Sequence, residues 1–192
     1  FGQESLDGRP VKNVVFRRCV VWCDWGRAME IGAETCPPEI SDVVFEDCDI
    51  IRTTHIAMDI QHGDRAAVRN IRFQDIRVEV DKLNLPPRMQ SGPEDRYGLK
   101  ADESYLPRLL VIEIRGTNYS KDGQRGTVRD VLFRNLAVIG PRMPESVFRG
   151  FDAEHTVEGV TIQGLRLNGR QIGNAAAAQL AVGPHVSEVR FA

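Results

Sequence analysis

Glu30, Asp59 and Glu113 stand in the tetrapeptides Ala-Met-Glu-Ile, Ala-Met-Asp-Ile and Val-Ile-Glu-Ile, each acid held between apolar neighbours. In a strand, alternation sends Met29 and Ile31 to one face and Glu30 to the other. Glu30 and Asp59 are 29 residues apart, and two carboxylates brought level on neighbouring strands repel, which raises one pKa above the ordinary carboxylate range. A protonated carboxyl beside an ionised one is the equipment of glycoside cleavage, where the acid protonates the leaving oxygen and the carboxylate serves water or attacks directly. Glu30 and Asp59 are therefore the candidate catalytic pair. Arg27, Glu34, His55, His62, Asp64 and Glu113 flank them as candidate substrate contacts, and Trp22, Trp25 and Tyr105 offer faces on which sugar rings stack. For any one of these acids, a solvated sheet face balanced by neighbouring arginines explains the pattern as well; three acids in register favour a site.

The elements that would position these acids recur at a fixed interval. Asn-Val-Val-Phe ends at Phe16, Asp-Val-Val-Phe at Phe45, Asn-Ile-Arg-Phe at Phe73, Asp-Val-Leu-Phe at Phe133, Gly-Val-Thr-Ile at Ile162 and Glu-Val-Arg-Phe at Phe191, with spacings of 29, 28, 60, 29 and 29. Each unit alternates apolar and polar residues as a short strand does. A constant period with strands and no helical pattern predicts an all-β solenoid, a parallel β-helix in which each repeat of ~29 residues is one coil. Val14/Phe16, Val43/Phe45, Ile71/Phe73, Val131/Phe133, Val160/Ile162 and Val189/Phe191 then form one internal column. The 60-residue spacing is read as one coil carrying an inserted loop at 81–108, rich in proline, glycine and charge, with Glu113 level with Asp59. Such a loop reads either as a lid or binding wall or as a solvated insertion without function.

Cys19 and Cys48 fall three residues after the key phenylalanine, where Ile76, Leu136 and Leu165 stand in later coils, so they read as small apolar core residues. Cys23 and Cys36 have no metal-like spacing with histidine, and none of the four cysteines is assigned chemistry. The chain has 192 residues, 27% of them charged and 42% hydrophobic, with a formal net charge of −2. These values predict one domain over residues 1–192 and exclude the basic field of a nucleic-acid binder. No apolar run is long enough for a membrane-spanning helix or a signal peptide. Arg149, Asp152, Glu154 and His155 in residues 148–155 read either as a border of the cleft or as a turn held by local ion pairs. Residues 174–185 read as a turn into a small-residue strand or as one helical turn.

The stretches NVVFRRCVVWCDWGRAMEIGAE, ISDVVFEDCDIIRTTHIAMDIQHGD and VRNIRFQDIRVE resemble coils of the polygalacturonase-like glycoside hydrolases, which are right-handed parallel β-helices of the pectin-lyase-like superfamily. The resemblance covers most of the chain. It implies a cofactor-free hydrolase of a plant-type or uronate-containing polysaccharide, secreted or periplasmic and monomeric at full length. Arg27 stands near the family's histidine, Glu30 where the family has serine, and Asp59 where it has the arginine of an Arg-Ile-Lys motif. The family's Asp-Asp pair has no counterpart here. Its coil is expected before Phe1, with this chain the C-terminal part of a longer one, its first coil uncapped and its activity incomplete alone. Two alternatives stay open: a lyase in which Glu30, Asp59 and Glu113 hold Ca²⁺ against a uronate, and a glycan-binding module without turnover.

Overall fold

The computed structural model describes residues 8–24, 26–80 and 105–192. Among them the chain forms fourteen strands and no α-helix: β1 (Val11–Arg17), β2 (Val20–Trp22), β3 (Arg27–Ala33), β4 (Glu39–Arg52), β5 (Ile56–His62), β6 (Ala67–Glu79) and β7 (Arg108–Ile114), then β8 (Thr127–Ile139), β9 (Ser146–Arg149), β10 (Val157–Gln163), β11 (Arg166–Leu167), β12 (Arg170–Gln171), β13 (Leu180–Val182) and β14 (Val186–Phe191). No helix among the described residues is long and apolar enough to cross a membrane.

From β3 to β10 the chain alternates between two sheets. One follows the order β1-β4-β6-β8-β10-β14, with β2 beside β4 and β11 beside β8; the other follows β13-β9-β7-β5-β3. Every pairing is parallel except the small β11–β12 ribbon. The fold is all-β with parallel sheets, in an arrangement consistent with β-helix-like coiling. Parallel strands cannot be joined by tight hairpins, so each returns to its sheet by way of the other, and the repeat length is the circuit.

The repeat seen in the sequence is the register of the larger sheet. Val14 pairs with Val43, Val43 with Ile71, Ile71 with Val131, Val131 with Val160 and Val160 with Val189, and the phenylalanine column runs in step through Phe16, Phe45, Phe73, Phe133, Ile162 and Phe191. The rings of Phe16, Phe45, Phe73 and Phe133 stack at centroid distances of 4.9, 4.8 and 5.2 Å, the inter-strand spacing itself. Phe133 faces Phe148 of the second sheet across the interior at 6.1 Å. Cys48 is buried against Phe45 and Ile76, and all four cysteines are free thiols. Exposed apolar side chains collect on β1 and β2, at Val15, Phe16, Val20 and Trp22; residues 1–7, on which the expectation of an uncapped first coil bears, lie outside the described residues.

The long strands of the larger sheet bend at two levels. Asn13, Asp42, Asn70, Asp130, Gly159 and Glu188 share a left-handed backbone at one level, and Arg18, Asp47, Asp75, Asn135 and Gly164 share it at the other. Asparagine, aspartate and glycine occupy most of these places because they tolerate positive φ at little cost. Their side chains also bond between neighbouring strands: Asn70 donates to Asp42, and Asn135 Nδ2 donates to Asp75 Oδ1 at 2.8 Å.

Candidate functional site

The outer face of the smaller sheet carries the site. Met29, Ile31, Met58, Ile60, Leu110 and Ile112 turn into the core, so alternation presents Glu30, Gly32, Asp59, Gln61, Val111 and Glu113 outward. Two cavities lie on this face, of about 810 and about 840 Å³, and share Arg27, His55 and Arg115 in their walls.

Glu30 and Asp59 are direct partners on β3 and β5, as the sequence predicts. The third acid is not. Asp59 pairs with Val111, and Glu113 pairs with Gln61 on one side and Arg149 on the other. The 81–108 loop and the segment following β7 divide the extra length differently from the sequence reading, by two residues. A shift of two keeps each side chain on its face and moves it one position along the strand. Glu113 therefore stays on the groove but leaves the column, and the three acids do not converge on one cation.

Asp59 is 1% exposed, which departs from the open column expected. The Arg27 side chain lies over it: Nε abuts Asp59 Oδ2 and stands 3.6 Å from Glu30 Oε1. The Arg27 contact with Asp59 is close but poorly aligned as a hydrogen bond, and among the described residues the Asp59 oxygens have no other donor. Burial therefore dominates and pushes the Asp59 carboxyl up to about 7, against the pull of Arg27 and with a further push from Glu30. Glu30 opens into the second cavity. Partial burial raises its pKa, Arg27 opposes the shift, and the charge of Glu34 adds to it. Glu34 lines the same cavity.

His55 stands between the two cavities. Burial and the charges of Arg27, Arg108 and Arg115 bring its imidazole down to about 4, so it is neutral at physiological pH. His62 and Asp64, expected as substrate contacts, face away from the groove. His62 shares the inward parity of Met58 and Ile60 and is fully buried; its Nε2 donates to the Ala66 carbonyl at 2.8 Å and its Nδ1 accepts from the Thr35 hydroxyl at 2.6 Å. The Thr35 oxygen in turn accepts from the backbone N–H groups of Gly63 and Asp64. Asp64 accepts backbone N–H bonds from Thr35, Lys121 and Asp122, which hold its carboxyl below the usual range against its burial. Both residues build the wall rather than the binding surface.

Cys36, Asp64 and Asp122 bring ligand atoms within 4.8 Å of one another, but the Asp64 oxygens are engaged by backbone donors and Asp122 Oδ2 accepts from Arg65 Nε at 2.6 Å. That cluster is a turn anchor.

The first cavity is basic. Arg27, Arg108, Arg115, Arg142 and Arg149 line it against Glu113 and Glu145. Tyr105, at the end of the inserted loop, enters this wall and donates its hydroxyl to the Thr54 carbonyl at 2.6 Å. Residues 81–104, and with them most of the expected lid, lie outside the described residues, as does Trp25. Trp22 belongs to the other sheet, where the Arg52 guanidinium lies 5.4 Å from its ring centre. Asp152 closes its turn by accepting from Glu154 and His155, as the sequence suggested, while Arg149 reaches the groove. The sequence reading passed over Gln61, Arg108, Arg115 and Tyr119. The signal for Gln61 was present: it follows Asp59 by two residues and so shares its face.

No family model, no curated protein and no solved structure matches the chain.

Proposed function

We propose that the chain is a right-handed parallel β-helix of the polygalacturonase-like kind and that its groove hydrolyses an anionic, uronate-containing polysaccharide. The observation that carries the reading is that Glu30, with its raised pKa, and Glu34 open into one cavity, continuous through Arg27, His55 and Arg115 with a cavity lined by five arginines. In this reading the Glu30 carboxylic acid gives its proton to the glycosidic oxygen as the bond to the anomeric carbon breaks. Glu34 takes a proton from the water that attacks that carbon. Asp59, too buried to touch substrate, fixes Arg27 over Glu30 and so tunes the acid. The arginines hold the carboxylates of neighbouring uronates, where the planar guanidinium makes paired bonds.

A second reading draws on His55, a neutral base ringed by three arginines. There the arginines neutralise a uronate carboxylate, His55 takes the C5 proton, the electron pair forms the C4–C5 double bond, and the C4–O bond breaks with a proton passing to the departing oxygen. One assay separates the readings. The full protein is incubated with polygalacturonate and with mixed acidic polysaccharides, and both reducing ends and ultraviolet absorbance are followed. Hydrolysis gives reducing ends without absorbance, and Glu30→Gln should lower it by at least ~10². Absorbance rising in step with cleavage moves the assignment to elimination, and glycan binding without either signal leaves a binding module.

A further inference from the structure

The two cavities differ in charge, although they share a wall. Five arginines face two glutamates in the first; Arg27 and Arg115 face Glu30 and Glu34 in the second, which is balanced. A balanced wall with hydroxyl-sized hydrogen-bonding groups does not select a second anion.

The floor of the second cavity is a notch. Gly32 and Gln61 are register partners on β3 and β5, and Gly32 has no side chain to cover its neighbour. A Cβ there would stand 2.0 Å from the Gln61 carbonyl oxygen, and its φ of +127° suits glycine. Gln61 faces this cavity from the outer side of β5, is 4% exposed, and its Oε1 receives no hydrogen bond among the described residues. A buried amide oxygen without a donor costs about 1–3 kcal/mol, a cost that a ligand hydroxyl removes on binding.

Tyr119 lines the same cavity and is 59% exposed. Its turn is fixed: the Tyr119 backbone N–H donates to Thr117 Oγ1 at 3.1 Å, and Ser120 Oγ donates to the Gly63 carbonyl at 2.7 Å, two residues from Gln61. An exposed aromatic ring on an anchored turn is a stacking platform for the apolar face of a pyranose.

We propose that this second cavity is a subsite for a neutral sugar residue, with a ring hydroxyl donating to Gln61 Oε1 and the ring lying on Tyr119. The proposal rests on the glycan-cleaving reading above and deepens it: the substrate is a glycan in which a neutral residue adjoins an anionic one, the anionic residue lying over Arg108 and Arg149.

The test uses the full protein and isothermal titration calorimetry with neutral gluco-, galacto- and xylo-trisaccharides and with trigalacturonate. At least one neutral trisaccharide should bind, and Gln61→Met and Tyr119→Ala should each weaken it about tenfold, the worth of one hydrogen bond or one stacked ring. Trigalacturonate binding should be indifferent to both changes and reduced by Arg149→Gln. Tyr119 is on the surface, so Tyr119→Ala folds whatever Gln61→Met does. No binding of any neutral probe, or neutral binding that both variants leave unchanged, overturns the subsite. Failure of the hydrolase reading is a separate result: glycans bind with the stated pattern, but the wild type releases no reducing ends.

Discussion

Arg27 lies across two strands with its guanidinium against the buried carboxyl of Asp59 and beside the open carboxyl of Glu30. One cation thus serves an acid that water does not reach and an acid that water does. Because Asp59 titrates at about 7 against an ordinary value of 3.8, the folded chain holds a proton that the unfolded chain releases. Its contribution to stability is complete below pH 3.8 and is lost as pH rises through about 7. Denaturant midpoints of the wild type should therefore fall from pH 4 to pH 7 relative to Asp59→Asn, which lacks this titration. Parallel profiles for the two proteins would show that Asp59 is ionised throughout.

His62 should give the opposite slope. Burial holds its imidazole down to about 4 against an ordinary value of 6.5, over the opposing pull of the Ala66 carbonyl on Nε2, and the Thr35 hydroxyl already donates to Nδ1. The stability its neutral form contributes is full above pH 6.5 and declines as pH falls towards 4. Histidine ring signals followed by NMR should place the His62 titration well below the ordinary value of 6.5; a titration near 6.5 would contradict the buried network.

Thr35→Val should cost about 2–3 kcal/mol. The change keeps the shape and removes an oxygen that accepts from Gly63 and Asp64 and donates to His62, leaving buried groups unpaired. Thr35→Ser should restore most of the loss, and urea unfolding of the three proteins reads it.

Gly32→Ala should destabilise by at least about 2 kcal/mol, because the added methyl meets the Gln61 carbonyl and the backbone conformation is costly for alanine. Gly123→Ala, where an added Cβ has nothing within 4 Å, is the control. Equal melting temperatures for both variants would show that β3 and β5 separate easily.

Phe73→Ala should cost about 3–5 kcal/mol, since this fully buried ring stacks on Phe45 and Phe133. Phe16→Ala, at the 45% exposed end of the same column, should cost less than half as much. Chemical denaturation of the pair measures the gradient along the stack.

The larger sheet was legible in the sequence because its repeat is rigid. Phe16, Phe45, Phe73 and Phe133 must meet at inter-strand spacing to exclude water, so intervals of 29 and 28 residues, and of 60 where the loop is inserted, each bring one ring onto the next. The left-handed backbone shared by the Asn and Asp preceding Val14, Val43, Ile71 and Val131 was not foreseen, although these residue types tolerate it. Alternation put Glu30 and Asp59 outward, and the 29-residue interval set them level with each other.

What the sequence left undetermined was everything that depends on where an irregular length is absorbed and on which side chain lies over which. The tetrapeptide at 111–114 looks like those holding Glu30 and Asp59, yet β7 docks two residues out of that alignment, because the Leu110 and Ile112 side chains fill the places under Met58 and Ile60. Glu113 follows them to Gln61. Arg27 closes over Asp59 through a side chain whose reach strand alternation does not specify. Local pattern determined which residues form strands and which faces they show; packing across coils, where burial and one guanidinium decide which carboxyl keeps its proton, determined which of those residues form the site.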